Sequence, residues 1–286
     1  MPPTLCVLLA GAMFASGGAL LKSCDFPSLQ RAGLRAAIAA LTLFVLLPAA
    51  RRKPDARVLR LVLPYFGATA LFVIANSLTT AANAIFLQST APLWILLFAP
   101  LLLRERPTRR DVVVFGGVAA GMTLCFLAPT EVQRTAPNPA LGDLFALASG
   151  VCFALLLLGL RWLARSDDDA SAAALAWGNA LALPLAFALM PFAGQSPIRG
   201  SASDWVVITV LGVFQVGLAY VVLTAGLRQV PAVRASLLLM LEPALNPLIA
   251  YAVHGERPAP LAVAGGALIV GSVGAASVLA RQRRGQ

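Results

Sequence analysis

The sequence predicts an all-α membrane protein with ten transmembrane helices, and three observations support that prediction. First, 59% of the 286 residues are hydrophobic and only 12% are charged, whereas a soluble domain carries about 25% charged residues. Second, the apolar residues form ten runs of about 20 residues, the length that crosses the hydrocarbon core of a bilayer. Third, the basic residues concentrate in alternate connections between these runs. The composition excludes an ordinary water-facing surface.

The ten apolar runs define the predicted helices. We place them at 4–22, 28–48, 58–77, 82–103, 110–128, 141–163, 170–192, 204–227, 232–253 and 259–280. Only a polar stretch separates the third helix from the fourth, so a nine-helix arrangement is the alternative there. The first run lacks a basic leading segment and is long for a signal peptide, which predicts a retained helix.

The distribution of Lys and Arg predicts that both termini face the cytoplasm. In that orientation the inner loops and the C-terminal tail carry 16 basic residues, the outer loops carry 4, and two lie inside the second helix. Basic residues accumulate in cytoplasmic loops, and shifting the count by one helix would destroy this asymmetry. The same clusters account for the net charge of +10, so we predict no nucleic-acid partner.

An internal duplication follows from aligning the sequence with itself. With an offset of 151 residues, 83–107 falls on 234–258 without a gap, and eight of the 25 positions are identical. With an offset of 139 residues, AGAMFA at 10–15 falls on SGVCFA at 149–154. Helices one to five therefore correspond to helices six to ten.

Because each copy has an odd number of helices, the second copy crosses the membrane in the opposite sense. Inverted repeats of this kind are the architecture of many secondary transporters, with the substrate site near the midplane between the halves. We predict a first repeat at 1–130, a linker at 131–140, and a second repeat with a basic cytoplasmic tail at 141–286. The alternative interpretation is that the duplicated halves only build a stable bundle.

Glu242 is the most unusual residue of the ninth helix. A carboxyl group near the bilayer centre is costly unless it is paired, protonated or in a wet cavity, and it is therefore a candidate functional group. Pro243 and Pro247 interrupt the helix and free backbone carbonyls, and Asn246 follows Glu242 by one turn on the same face. This stripe is suited to binding an ammonium group or carrying a proton. A structural hydrogen bond that locks the kink is the alternative.

Other polar and aromatic residues in apolar runs are candidates for the wall of a cavity. Each taken singly is also compatible with helix–helix bonding or core packing, which is the commoner role of such residues. These candidates are Phe14, Asn76, Thr79, Asn83, Gln88, Trp94, Phe153, Gln215 and Tyr220. The candidates for kinks and gating are Gly17 and Gly18 in the first helix, Pro92 in the fourth, and Pro243 and Pro247 in the ninth.

Arg31 and Arg35 lie one turn apart in the second helix. The long side chain of Arg31 is expected to snorkel to the headgroups. Arg35 is deeper, and its candidate partners are Asp25, a lipid phosphate or the carboxylate of a departing substrate.

Three stretches carry a resemblance to a known family. LQSTAPLWILLFAPLLLRERPTRRDVVVFGGVAAGMTL at 87–124, LGDLFALASGVCFALLLL at 141–158, and ASLLLMLEPALNPLIAYAVHGERPAPLAVAGGALIVGSVG at 235–274 resemble the EamA repeats of the drug/metabolite transporter (DMT) superfamily. The resemblance extends over essentially the whole chain and includes Pro92 and its counterpart Pro243. It implies a ten-helix exporter of small metabolites, commonly amino acids, in the bacterial inner membrane, and the sequence also resembles the YddG-like aromatic amino-acid exporters of this family.

The residues leave several functions to compare. No nucleotide-binding loop, nucleophile–base pair or selectivity-filter ring is evident, so we predict neither an enzyme with catalytic residues nor a channel. The four cysteines show no metal or redox spacing, and we predict no metal and no cofactor.

Within transport, the residues favour a neutral amino acid with an apolar or aromatic side chain. Small polar amino acids such as threonine or homoserine, lipophilic cations, and a non-transporting membrane scaffold or sensor are the alternatives. The expected partners are a small-molecule substrate and the lipid bilayer, and a monomer is compatible with the sequence, which sets no oligomeric state.

Overall fold

Helices make up the whole of the regular structure that is described. The structure, a computed structural model, describes residues 1–79, 81–104, 108–127, 137–167, 169–245, 249, 260–261, 263–268, 271–272 and 275. The helices are α1 Pro3–Phe14, α2 Gly17–Lys22, α3 Ser28–Leu46, α4 Ala56–Leu59, α5 Val62–Leu78, α6 Ala81–Gln88, α7 Ala91–Leu102, α8 Arg109–Leu127, α9 Pro139–Ser166, α10 Ala170–Leu189, α11 Ala202–Val210, α12 Ala219–Leu227 and α13 Ala232–Leu239. Short 3₁₀ helices lie at Pro48–Arg51 and Pro191–Ala193, and a π-helix at Leu211–Leu218 joins α11 to α12.

Among the described residues, six helical segments are long and apolar enough to cross a membrane. They are Ser28–Leu46, Ala56–Leu78, Ala84–Leu102, Pro139–Arg165, Ala170–Leu189 and Ala202–Leu227. The prediction of an all-α chain with membrane-spanning helices is confirmed to this extent, and the count of ten stays a prediction. Half of the predicted tenth helix at 259–280 lies outside the described residues.

Several predicted spans are interrupted near their middles. The first is divided between α1 and α2 by a turn at Ala15–Ser16, and the fourth between α6 and α7 by a turn at Ser89–Thr90. In the second repeat, α13 ends at Leu239 and helical structure resumes at 241–245. The ends of α6 and α13, Gln88 and Leu239, are equivalent in the 151-residue register, so the two copies break at the same position.

Arginine side chains bind the carbonyl groups that helix ends leave unpaired. This also places a positive charge at the negative end of the helix dipole, where it is stabilised. Arg51 donates from Nε to the Phe44 carbonyl of α3 (2.8 Å), and Arg161 donates from Nη1 to the Leu227 carbonyl of α12 (2.8 Å). Arg31 donates from Nη1 to the Leu21 carbonyl of α2 (2.7 Å) and from Nη2 to the Ser77 hydroxyl (2.8 Å). The structure therefore gives Arg31 partners within the protein, and the expectation that it snorkels to headgroups stays a prediction.

Polar contacts also tie the loops to the helix ends. Asp204 accepts hydrogen bonds from the backbone N–H groups of Asp25 (2.8 Å) and Ser201 (2.7 Å), and the Ser201 hydroxyl caps α11 in return. On another connection, Arg52 forms an ion pair with Asp167. That pairing, led by the hydrogen bond from Arg52, holds the pKa of Asp167 below its ordinary value of 3.8.

Helix packing brings the two halves of the chain together. α5 packs along α9, and α1 packs along α12; α3 lies against α10 and against the π-helix, and α10 also contacts α5. The main core forms where these helices meet and includes Leu43, Tyr65 and Leu157. Its residues come from both predicted repeats, so neither half buries its apolar surface alone.

Two glycines make equivalent contacts in the two halves. A β-carbon on Gly11 of α1 would lie 3.5 Å from the Cα of Leu239, and one on Gly150 of α9 would lie 2.9 Å from the carbonyl oxygen of Gln88. Gly11 corresponds to Gly150 in the 139-residue register, and Gln88 corresponds to Leu239 in the 151-residue register. Each glycine thus lies against the position at which a helix is interrupted, Leu239 for Gly11 and Gln88 for Gly150.

Candidate functional site

A buried cation lies at the centre of the bundle. Arg35 of α3 is only 4% exposed, and its Nη1 donates to Oε1 of Gln215 at 3.4 Å, a long hydrogen bond. Its charge interacts with Glu242 and with the phenolic groups of Tyr65 and Tyr220. Four different helical segments therefore meet around one guanidinium group.

Three aromatic side chains pack together beside Arg35. Phe14 of α1 meets Tyr220 of α12 edge to face, with ring centroids 5.2 Å apart, and Tyr65 of α5 lies 5.9 Å from Tyr220. The Tyr65 hydroxyl donates to Oδ1 of Asn179 in α10, and the Asn179 amide donates to the Leu175 carbonyl (2.9 Å). These contacts hold the tyrosine rings as one wall.

Gln215 connects the cation to the interrupted first helix. It is buried in the π-helix, and its Nε2 lies 3.4 Å from the Phe14 carbonyl, to which it donates. A β-carbon on Gly17 would lie 2.6 Å from the same Nε2, so a larger residue at this position would require the amide of Gln215 to move. π-helical segments often occur at functional sites, and here the segment presents Gln215 between Arg35 and α1.

Glu242 is partly exposed in the short helical stretch at 241–245, and Pro243 beside it is buried. The charges of Glu242 and Arg35 interact, but among the salt bridges between described residues there is none that joins them. The carboxyl group of Glu242 therefore lies within electrostatic range of Arg35 without forming an ion pair with it. Asn246 and Pro247 lie outside the described residues, so the predicted stripe is described only at Glu242 and Pro243.

The predicted residues at the junction of the third and fourth spans lie at helix interfaces. Thr79 donates to Oδ1 of Asp143 in α9 (2.8 Å), and Gln88 donates to the Ser149 hydroxyl (2.6 Å) and the Ala68 carbonyl (3.2 Å). These bonds link α5 and α6 to α9, which is the role of interhelical polar residues.

Asn76 is 7% exposed and its Nδ2 has no hydrogen-bond partner among the described residues. The side chain of Asn83 is not among those described.

The remaining predicted residues pack on the main core. Trp94 donates from Nε1 to the Thr90 hydroxyl (3.2 Å) and stacks on Phe98, with centroids 6.4 Å apart. Phe153 packs partly buried against the same core, and Pro92 is buried in the first turn of α7. Gly17 begins α2, with Gly18 next to it, directly after the interruption of the first helix.

The structure thus brings together Phe14, Gln215, Tyr220 and Glu242 of the residues predicted from sequence. It adds Tyr65 and Asn179, which the sequence analysis did not name, and it places Arg35, which was named only with candidate partners, beside them. An arginine well inside an apolar run was a usable signal for Arg35, but its partner is Gln215 of the other half rather than Asp25. Tyr65 and Asn179 looked like single polar residues in apolar helices, and nothing local distinguished them.

Among the described residues there is no group of three or more His, Cys, Asp and Glu side chains that could hold a metal ion. The cluster around Arg35 offers a fixed cation, a carboxyl group, amides and aromatic faces.

Comparison with known proteins agrees with this architecture. The EamA-like transporter family matches the sequence over residues 1–127 and 140–278. A solved structure, described only as "Crystal structure of protein", has the same fold, with a TM-score of 0.79 at 22% sequence identity over 98% of each chain. No curated protein matches the sequence.

The family match spans nearly all of the chain, and the described apolar helices fit a multi-pass membrane protein. The chain therefore belongs to the EamA-like transporter family, whose members are membrane transporters of small solutes.

Proposed function

We propose that this protein is a secondary transporter that exports amino acids, preferentially neutral ones with aromatic or other apolar side chains. The observation that carries the proposal is the buried guanidinium of Arg35 beside the aromatic wall of Phe14, Tyr65 and Tyr220, with the carboxyl group of Glu242 in electrostatic range but not in an ion pair with it. A zwitterion presents one group of each sign, and an aromatic side chain stacks or packs edge to face with such rings.

Alternating access is the proposed mechanism. We propose ten helices in two inverted repeats, at 1–130 and 141–286, with the linker 131–140 between them and both termini in the cytoplasm of a bacterial inner membrane. The equivalent helix ends at Gln88 and Leu239 support the duplication, and so do the equivalent contacts of Gly11 and Gly150. Inverted repeats supply two related packings of the same elements, between which a transporter can alternate.

The interrupted helices fit that mechanism. Breaks within a membrane helix are tolerated where the freed backbone groups are buried in protein or line a cavity. We propose that the interrupted helices bend at these breaks during the transport cycle. Glycine or proline residues follow each break in the sequence, namely Gly17 and Gly18 in the first span, Pro92 in the fourth, and Pro243 and Pro247 in the ninth.

Transport in proteoliposomes tests the proposal. Vesicles loaded with unlabelled phenylalanine should accumulate external labelled phenylalanine by exchange, and vesicles without protein should not. Labelled threonine, homoserine and a lipophilic cation such as tetraphenylphosphonium, assayed in parallel, rank the alternative substrates. Movement of threonine but not phenylalanine would replace the proposed side-chain preference, and movement of none would favour a scaffold or sensor.

Export rather than import is tested in cells. Cells that produce the protein should tolerate a toxic phenylalanine analogue better than cells that produce the Glu242→Gln variant. Greater sensitivity in the presence of the intact protein would indicate uptake and contradict the proposed direction.

A further inference from the structure

Arg35 has unused hydrogen-bonding capacity. A guanidinium group carries five N–H donors in a planar fork. Only 4% of the surface of Arg35 is exposed. Its hydrogen bond to another described residue is the 3.4 Å contact with Gln215. A buried charge with this little compensation is costly in a membrane, and such residues usually face a cavity or a ligand.

The neighbours of Arg35 do not supply an anion by direct contact. Glu242 interacts electrostatically with Arg35, but no ion pair joins the two among the described residues. Tyr65 and Tyr220 interact with the guanidinium only through their phenolic groups, which are neutral at physiological pH. Arg31, one turn away, is bound to the carbonyls of α2 and to Ser77, which is a structural role.

The surroundings of Arg35 hold it in place from two sides. Gln215 accepts from the guanidinium and donates to the Phe14 carbonyl, so the amide is oriented with its oxygen toward Arg35. At the backbone, a β-carbon on Gly212 would lie 2.9 Å from the Arg35 carbonyl oxygen, which shows how closely the π-helix packs on α3. The donors of the fork are therefore pre-oriented before any ligand arrives, which lowers the cost of binding.

We propose that Arg35 binds the carboxylate of the transported molecule, with Gln215 as the residue that positions its guanidinium. The inference rests on the proposed function and specifies its substrate class as molecules with a free carboxylate. In this arrangement Glu242 receives the ammonium group, and the rings of Phe14, Tyr65 and Tyr220 contact the side chain. A carboxylate accepts two parallel N–H bonds from an arginine, and such bidentate pairs are among the strongest polar contacts.

Three probe ligands separate the parts of this site. Phenylalanine has both charged groups, 3-phenylpropionate has only the carboxylate, and phenethylamine has only the ammonium group. Their affinities for the purified full-length protein in detergent are measured by isothermal titration calorimetry. Because 3-phenylpropionate is included, recognition of any carboxylate is distinguished from recognition of a zwitterion.

The Arg35→Gln variant should weaken phenylalanine and 3-phenylpropionate by about 10- to 100-fold, the range expected for charge-assisted hydrogen bonds, and leave phenethylamine unchanged or tighter. The Glu242→Gln variant should show the reverse pattern, with weakened phenylalanine and phenethylamine. Gln215→Met keeps the length of the side chain but removes the amide. It should weaken the affinity for phenylalanine and 3-phenylpropionate, the two ligands with a carboxylate, and leave that for phenethylamine unchanged. The Arg31→Gln variant is the matched control, since it removes a partly buried arginine of the same helix and should leave the affinity ratios as in the wild type.

The outcomes separate this inference from the proposed function. If the wild-type protein neither binds nor exchanges phenylalanine, the proposed function fails. If the wild type binds phenylalanine but Arg35→Gln weakens phenylalanine and phenethylamine equally, Arg35 is a structural residue and the inference is overturned. Where Arg35→Gln does not fold, Arg35→Lys replaces it. That variant keeps the charge but not the fork, and an unchanged ratio of phenylalanine to phenethylamine affinity would overturn the inference.

Discussion

Gly150 and Gly11 occupy equivalent positions of the duplicated sequence, yet the structure predicts opposite responses to substitution by alanine. A β-carbon on Gly150 would lie 2.9 Å from the Gln88 carbonyl oxygen, 3.0 Å from the Thr90 hydroxyl and 3.1 Å from the Leu87 carbonyl oxygen. The backbone of α6 would have to shift to admit it. At Gly11 the nearest atom, the Cα of Leu239, lies at 3.5 Å, which is ordinary van der Waals contact.

The magnitude follows from two opposing effects. Alanine is more favourable than glycine inside a helix by about 1 kcal/mol, and this gain applies at both positions. Overpacking against a rigid neighbour costs about 1–3 kcal/mol, and it applies only at Gly150. We therefore expect Gly11→Ala to be neutral or stabilising and Gly150→Ala to lower the free energy of unfolding relative to Gly11→Ala by about 1–3 kcal/mol.

The assay is thermal unfolding of the two purified variants in the same detergent, followed by a thiol-reactive or light-scattering signal, with the wild type as reference. Equal melting temperatures for the two variants, or a lower value for Gly11→Ala, would refute the reasoning. The pair is a matched control because residue type, substitution and helical setting are the same at both positions.

Three further predictions concern single hydrogen bonds and ion pairs. Tyr65→Phe leaves the buried Asn179 amide oxygen without its donor, and we expect a loss of about 1–3 kcal/mol in unfolding free energy and a weaker affinity for phenylalanine; an unchanged melting temperature would show that another group replaces the hydroxyl. Ser201→Ala removes the cap of α11 and should cost about 1 kcal/mol, whereas the exposed neighbour Ser203→Ala should not change the melting temperature measurably; equal effects would contradict the assigned cap. The pKa of Asp167 is lowered in the folded protein, so its stabilising contribution is present above its ordinary value of 3.8 and is lost as the pH falls from that value through the lower folded pKa; Asp167→Asn should therefore reduce the stability slightly at pH 7 and less at pH 3, and an equal reduction at both pH values would contradict the ion-pair explanation.

The local sequence predicted much of the helical framework because it depends on short-range properties. Runs of apolar residues of bilayer length specify helices, and the described helices occupy the places predicted for the first eight spans. The break after Gln88 and the break after Leu239 each precede a proline, Pro92 and Pro243, which matched in the sequence alignment. The paired glycines Gly11 and Gly150 also stood in register before any contact between them and the breaks was known.

The candidate site was predicted less completely. Phe14, Gln215, Tyr220 and Glu242 were named as candidates, but nothing in the sequence separated them from Thr79 and Gln88, which bond to α9 instead. Polar residues in apolar helices look alike in sequence whether they join helices or face a cavity. The distinction depends on which helices lie next to each other.

The sequence by itself determined that this chain is a duplicated set of apolar helices with a carboxyl group and prolines in the ninth, because residue composition, periodicity and internal identity are properties of neighbouring or aligned positions. Only the tertiary structure decided that Arg35 meets Gln215, 180 positions away, and that Tyr65 reaches Asn179. The direction in which a buried side chain points is set by the packing of whole helices from both halves of the chain. That packing minimises exposed polar groups over the entire bundle, and no single segment contains the information for it.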